Sequence, residues 1–127
     1  MRTITKFIVH CSDTPNDRDV TIEDIKDWHV NGNGWSDIGY HYVIDRDGRI
    51  HSGRPVRTAG AHCYGHNSDS IGVCLVGRDQ FETWQFDALR KLYASLLGIF
   101  KEMKPYGHRD FTDTKTCPNF EVKEVLK

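Results

Sequence analysis

The sequence has no CxxC pair, no HExxH, no long apolar run near its start and no excess of charge of either sign, and each absence removes a class of function. The first apolar stretch, Phe7-Ile8-Val9, is broken by a histidine and is too short for the h-region of a secretory signal, so synthesis is expected to end in the cytoplasm. Lys and Arg number 17 against 18 Asp and Glu, a formal charge of −1. Proteins that grip a polyanion carry a basic face, so nucleic acid is not an expected partner. The four cysteines, Cys11, Cys63, Cys74 and Cys117, are irregularly spaced. Neither a disulfide framework nor a zinc ribbon is signalled, and free thiols are expected. Without HExxH, the two-histidine helix of the common metalloproteases is excluded as a simple match. There is no internal repeat, low-complexity tract or linker, and a chain of 127 residues suits one domain spanning 1–127. At 38% apolar and 28% charged residues the chain reads as soluble and globular, without membrane insertion.

What is present reads as strands interleaved with helices. Phe7 to His10 is a short buried strand that ends in the loop Cys11–Asp17. Thr21 and Asp24 form a capping box, and Ile22, Ile25 and Trp28 follow at helical spacing, which predicts a helix of about ten residues. Tyr40–Ile44 and Arg49–Ser52 flank an Asp-Gly turn and predict a β-hairpin. Residues 54–69, with Pro55, Gly60 and Gly65, read as a long loop. Ile71–Gly77 is a central strand, and Thr83 is expected to cap a long helix bearing Phe86, Leu89, Leu92, Tyr93, Leu96, Leu97 and Phe100. Asn119 is expected to cap a last helix with Val122, Val125 and Leu126 as its buried stripe. The expected class is α/β, a central mixed sheet flanked by two to three helices.

Two imidazoles, His10 and His108, and the Cys117 thiol make a donor set that a tetrahedral zinc accepts, and three protein ligands leave a fourth position for water. On residues alone, His10 fits a hydrogen-bonded core histidine as well as a ligand. Alternation along the strand predicts that Cys11 points away from it. Cys117 with His108 as base would be a thiol nucleophile pair, although the second histidine suits a metal better. Lys115 shares a face with Cys117 in an extended segment, where it can assist the thiolate or an oxyanion, or lie in solvent. Trp28, Trp35 and Trp84 could form a sugar platform, but core and staple roles fit them better.

Seven blocks occur in one order: Val9-His10-Cys11-Ser12, Gly39-Tyr40-His41-Tyr42 with Asp47-Gly48, Gly60-Ala61-His62, His66-Asn67-Ser68, Ser70-Ile71-Gly72-Val73, Gly107-His108-Arg109-Asp110 and Lys115-Thr116-Cys117-Pro118. This pattern resembles the zinc N-acetylmuramoyl-L-alanine amidases of type 2, a family similar in fold to phage amidase-type lysozymes and peptidoglycan recognition proteins. The resemblance implies one zinc ion held by His10, His108 and Cys117, assistance from Tyr40 and Lys115 at the reacting centre, and a peptidoglycan groove partly lined by His62 and Asn67. It also implies endolysin-like cleavage of the amide between the lactyl group of N-acetylmuramic acid and L-alanine. The lack of a signal segment adds the separate expectation that the chain reaches the cell wall after release, and a monomer is a further separate expectation. The alternative within the same fold is a module that recognises peptidoglycan without cutting it; such relatives commonly lack the ligand found here as Cys117. Two features depart from the family pattern. Thr112-Asp113-Thr114 stands where a proline-containing spacer is usual, and the Gly77–Phe81 connection is short.

Overall fold

The computed structural model describes residues 2–127, and its centre is a five-stranded sheet. The strands are β1 (Lys6–Cys11), β2 (Tyr42–Ile44), β3 (Ile50–Ser52), β4 (Ser70–Leu75) and β5 (Lys104–Gly107), in the spatial order β3-β2-β4-β1-β5. Only the β2–β3 hairpin is antiparallel; β1 lies parallel between β4 and β5, and β2 runs parallel to β4. The sheet is therefore mixed, and its two central strands are buried along almost their whole length. That burial explains their unbroken apolar runs, since a parallel strand covered on both faces has no polar side to show.

Alternation along β1 divides the molecule. Phe7 and Val9, level with Ile71 and Val73, face a core that includes Leu75, Leu89, Leu92 and Leu96. The last three belong to α2 (Thr83–Leu97) or its core-facing row, and the short helix α3 (Val122–Val125) adds Val122 to the same core. Ile8 and His10, level with Gly72 and Cys74, face the opposite side. There a second, smaller cluster of Val20, Ile25, Ile38, Val43, Cys74 and Val76 seats α1 (Ile22–Asp27).

The Thr21–Asp24 capping box is present, with Thr21 Oγ1 accepting from the Asp24 N–H at 3.1 Å and Asp24 accepting from the Thr21 N–H at 3.0 Å. The helix then widens into a π-helical turn over Trp28–Gly32, so the expected run of about ten residues is covered by two kinds of helix. Two local expectations are corrected and one strand is added. Glu82, not Thr83, caps α2, because its own N–H is taken by the buried Gln85 Oε1 at 3.0 Å three residues on. Glu121, not Asn119, caps α3; Asn119 sits at φ 67 and spends its amide on the Arg78 carbonyl at 2.7 Å. The segment Lys104–Gly107, which carries too little apolar pattern to read as a strand, pairs along β1 as β5. Pro105 is tolerated there because β5 is an edge strand.

Candidate metal centre

His10 lies near the carboxyl end of β1, and Val9 is level with Gly107, the last residue of β5. The next residue on, His108, therefore falls beside His10, with ring centroids 4.5 Å apart. The ends of adjacent parallel strands are where open α/β sheets commonly build sites. After His108 the chain makes a short 3-10 turn and loops back, and the Arg109 N–H donates to the Cys117 carbonyl at 2.8 Å, which returns Cys117 to the same place. One ligand atom from each of His10, His108 and Cys117 lies within 4.8 Å of the others. Tetrahedral zinc, with bonds of about 2.0 Å to nitrogen and about 2.3 Å to sulfur, sets its ligands about 3.3–3.6 Å apart, so the widest pair needs to close by roughly 1 Å.

The donor chemistry fits the same ion. Burial, then the neighbouring His62 and His108 rings, hold His10 well below the usual imidazole range; burial and the Lys115 cation lower His108. Both rings are thus kept in the neutral form that a metal requires. The Cys117 thiol is pushed up by the adjacent Cys11 side chain and by burial, a direction that a bound dication reverses. The Cys11 N–H already donates to Cys117 Sγ at 3.0 Å, as a thiolate would need. Cys11 itself does not point clear of the site as strand alternation predicted. At the strand end it lines the cleft beside Cys117 and Asn119.

The ligands open onto a cleft of about 510 Å³. Tyr40 stands against His10, ring centroids 5.2 Å apart, and burial together with the Cys74, Cys117 and Cys11 thiols raises its phenol well above the ordinary value, so it remains a proton donor. Lys115 is exposed and lines the same cleft. His62 also lines it, with Nδ1 2.9 Å from His10 Nε2 and Nε2 3.1 Å from Ser70 Oγ. Asn67 is not among the cleft residues; its Oδ1 accepts from the His62 and Cys63 backbone N–H groups at 3.0 and 2.9 Å. Residues that the sequence left in bland roles complete the wall. Trp35, 36% exposed, stacks on His29 at 4.8 Å and lines the cleft, and the His29 Nδ1 accepts from the Gly39 N–H at 2.8 Å. The aromatic pair spaced Trp35 to His29, just before Gly39-Tyr40, was the available signal.

The model of the N-acetylmuramoyl-L-alanine amidase family matches residues 1–120. The chain belongs to that family. Among its curated relatives, the endolysin of Enterobacteria phage T3 is 37% identical over 129 residues, 95% of this chain and 84% of the phage protein. Among solved structures, the N-acetylmuramoyl-L-alanine amidase LysC from Clostridium intestinale URNW superposes with a TM-score of 0.87 at 28% identity, covering 98% of this chain and 83% of LysC. Drosophila PGRP-LB superposes with a TM-score of 0.81 at 31% identity, covering 98% of this chain and 81% of its own. The amidase-family fold is therefore shared by lytic and recognition proteins, and the His10, His108 and Cys117 cluster of this member could hold a metal ion.

Proposed function

We propose that this amidase-family chain is a zinc-dependent N-acetylmuramoyl-L-alanine amidase that opens peptidoglycan by hydrolysing the bond between the lactyl group of N-acetylmuramic acid and L-alanine. The observation that carries the reading is the convergence of His10, His108 and Cys117 in one cleft with Tyr40 and Lys115 on its walls. When bound, zinc would supply Lewis acidity and a water acidified to a pKa of about 7. His10, His108 and Cys117 would hold it, two neutral imidazoles and a thiolate leaving one side open to the cleft. Tyr40 and Lys115 line the same cleft as the three ligands, so the scissile carbonyl oxygen can be met by two donors as its charge develops. Each also carries a proton that the departing L-alanine amine needs. Trp35 offers an apolar ring along the same cleft, suited to the face of a sugar.

Among the described residues no helix is long and apolar enough to cross a membrane. Relatives named endolysins support an action on the cell wall, and the recognition-protein relatives supply the rival reading of binding without cleavage. Mass spectrometry of purified peptidoglycan digested with the protein, with and without a zinc chelator, separates the two. Free stem peptides beginning at L-alanine, formed only with metal, are expected. Intact glycopeptides that co-sediment with the protein would overturn the enzyme in favour of a binding module.

A further inference from the structure

Resting on the reading that His10 holds the zinc, we propose that His62 is a positioning residue that fixes the tautomer and aim of His10 and has no ring nitrogen left for substrate. His10 has two ring nitrogens, and Nε2 is already engaged by His62 Nδ1 at 2.9 Å. That leaves Nδ1 for the cation, so Nε2 must carry the proton and donate. His62 Nδ1 must then accept, which puts the proton of the neutral His62 ring on Nε2, where Ser70 Oγ stands 3.1 Å away to receive it. The chain from His10 to His62 to Ser70 has one direction consistent with a metal at its head. The reverse tautomer of His62 would set two N–H groups against each other. Outer partners of this kind orient metal-binding imidazoles and raise their basicity.

The surroundings hold the His62 ring in place. Asn67 Oδ1 accepts from the backbone N–H of both His62 and Cys63, so the loop is clamped at the residue itself. The ring lies over β4 at Gly72, where a Cβ would fall 2.5 Å from its Cγ and Cδ2, and against Gly60, where a Cβ would fall 2.7 Å from Cδ2. Ser70 and Gly72 belong to the strand directly paired with the strand that bears His10. Backbone position, ring plane and both nitrogens are therefore all set by neighbours.

The test is zinc affinity, read by competition with a chromophoric chelator, for the intact chain and its His62→Ala, His62→Asn and His62→Gln variants. An Asn amide reaches where Nδ1 lies and a Gln amide where Nε2 lies, so only Asn restores an acceptor to His10. Zinc binding is expected to weaken about 10–100-fold in His62→Ala, to recover in His62→Asn and to stay weak in His62→Gln. Unchanged affinity in His62→Ala, or equal behaviour of Asn and Gln, would overturn the proposal. Nitrogen NMR of the zinc-loaded unsubstituted chain reads the tautomers without any variant: protonation at Nε2 is expected on both His10 and His62, and a His62 proton on Nδ1 would overturn it. If affinities and tautomers follow this pattern but peptidoglycan stays uncut, the positioning role stands and the proposed reaction falls.

Discussion

His10 and the pair His108 and Cys117 reach the same point from different kinds of structure. His10 rises from a central strand, 2% exposed, with hydrogen-bonded neighbours on both sides. His108 and Cys117 bracket a loop in which Asp113, Thr114, Lys115 and Thr116 are exposed, held by contacts such as the Thr112 and Thr114 hydroxyl pair at 3.0 Å and the Arg109 N–H to Cys117 carbonyl bond. One side of the cluster is part of the core, and the other is a surface segment tied down at its ends. Few buried apolar contacts and many solvent-facing groups mark a region of low local stability, so the difference teaches where folding and chemistry are coupled and where they are separate.

The largest effect tests that coupling directly. Both His10→Ala and Cys117→Ala are expected to abolish zinc retention and peptidoglycan cleavage. His10→Ala is expected to lower the melting temperature of the chelator-treated chain by an amount equivalent to about 1–3 kcal/mol, because it leaves His62 Nδ1 without its partner and a void in the core, and Cys117→Ala by less, because it frees only the Cys11 N–H at the strand end. Equal losses of Tm in the two variants would erase the distinction between strand and loop.

A second effect sharpens it on the strand side. His41 accepts from the Gly72 N–H at Nδ1 and donates to the Thr58 carbonyl at Nε2, and burial lowers its pKa to about 4. The unfolded chain takes up this proton near pH 6.5, the native one only near pH 4. The associated stability is therefore complete above pH 6.5, is lost as pH falls through that window, and changes no further below it. The loss is about 3 kcal/mol on the scale of 1.36 kcal/mol per unit. Urea melts of the chelated protein between pH 7 and pH 4 measure it, and His41→Asn should flatten the slope. The smallest effect belongs to the loop. Lys115→Ala should keep zinc and Tm, and lower kcat about 100-fold, as expected for one lost oxyanion donor; zinc loss equal to that of Cys117→Ala would make Lys115 part of the metal scaffold instead.

How much of this could be read in advance depended on how local the signal was. The Asp47-Gly48 hairpin, the Thr21 capping box, β4 and the apolar row of α2 depend on neighbours a few residues away, and they stand where periodicity and turn chemistry put them. Among seven histidines and four cysteines, the His10, His108 and Cys117 set was singled out by the family-like blocks that carry it, and the β1–β5 register together with the return loop brings the three side by side. What stayed hidden needed distant partners. β5 is a strand only because β1 offers its edge to Lys104–Gly107, and Glu82 caps α2 only because Gln85 is buried where it can reach back. Cys11 escapes simple alternation because β1 ends there and Cys117 arrives from the far end of the chain. His62 lines the cleft and also meets His10 and Ser70, while Asn67 lies outside the cleft and holds the loop backbone, contacts that no local pattern announces.

The order β3-β2-β4-β1-β5 has a consequence for biosynthesis. The first strand to leave a ribosome is the one that ends between two others made much later, β4 and then β5. β1 therefore waits, apolar and unpaired, while most of the polypeptide is still being joined, a non-local closure of the kind that slows folding and favours chaperone contact. Cys117 arrives later still. A nascent chain thus carries an incomplete donor set until Cys117 has been made, so a metal held by all three residues would have to bind after β1, β4 and β5 have been synthesised.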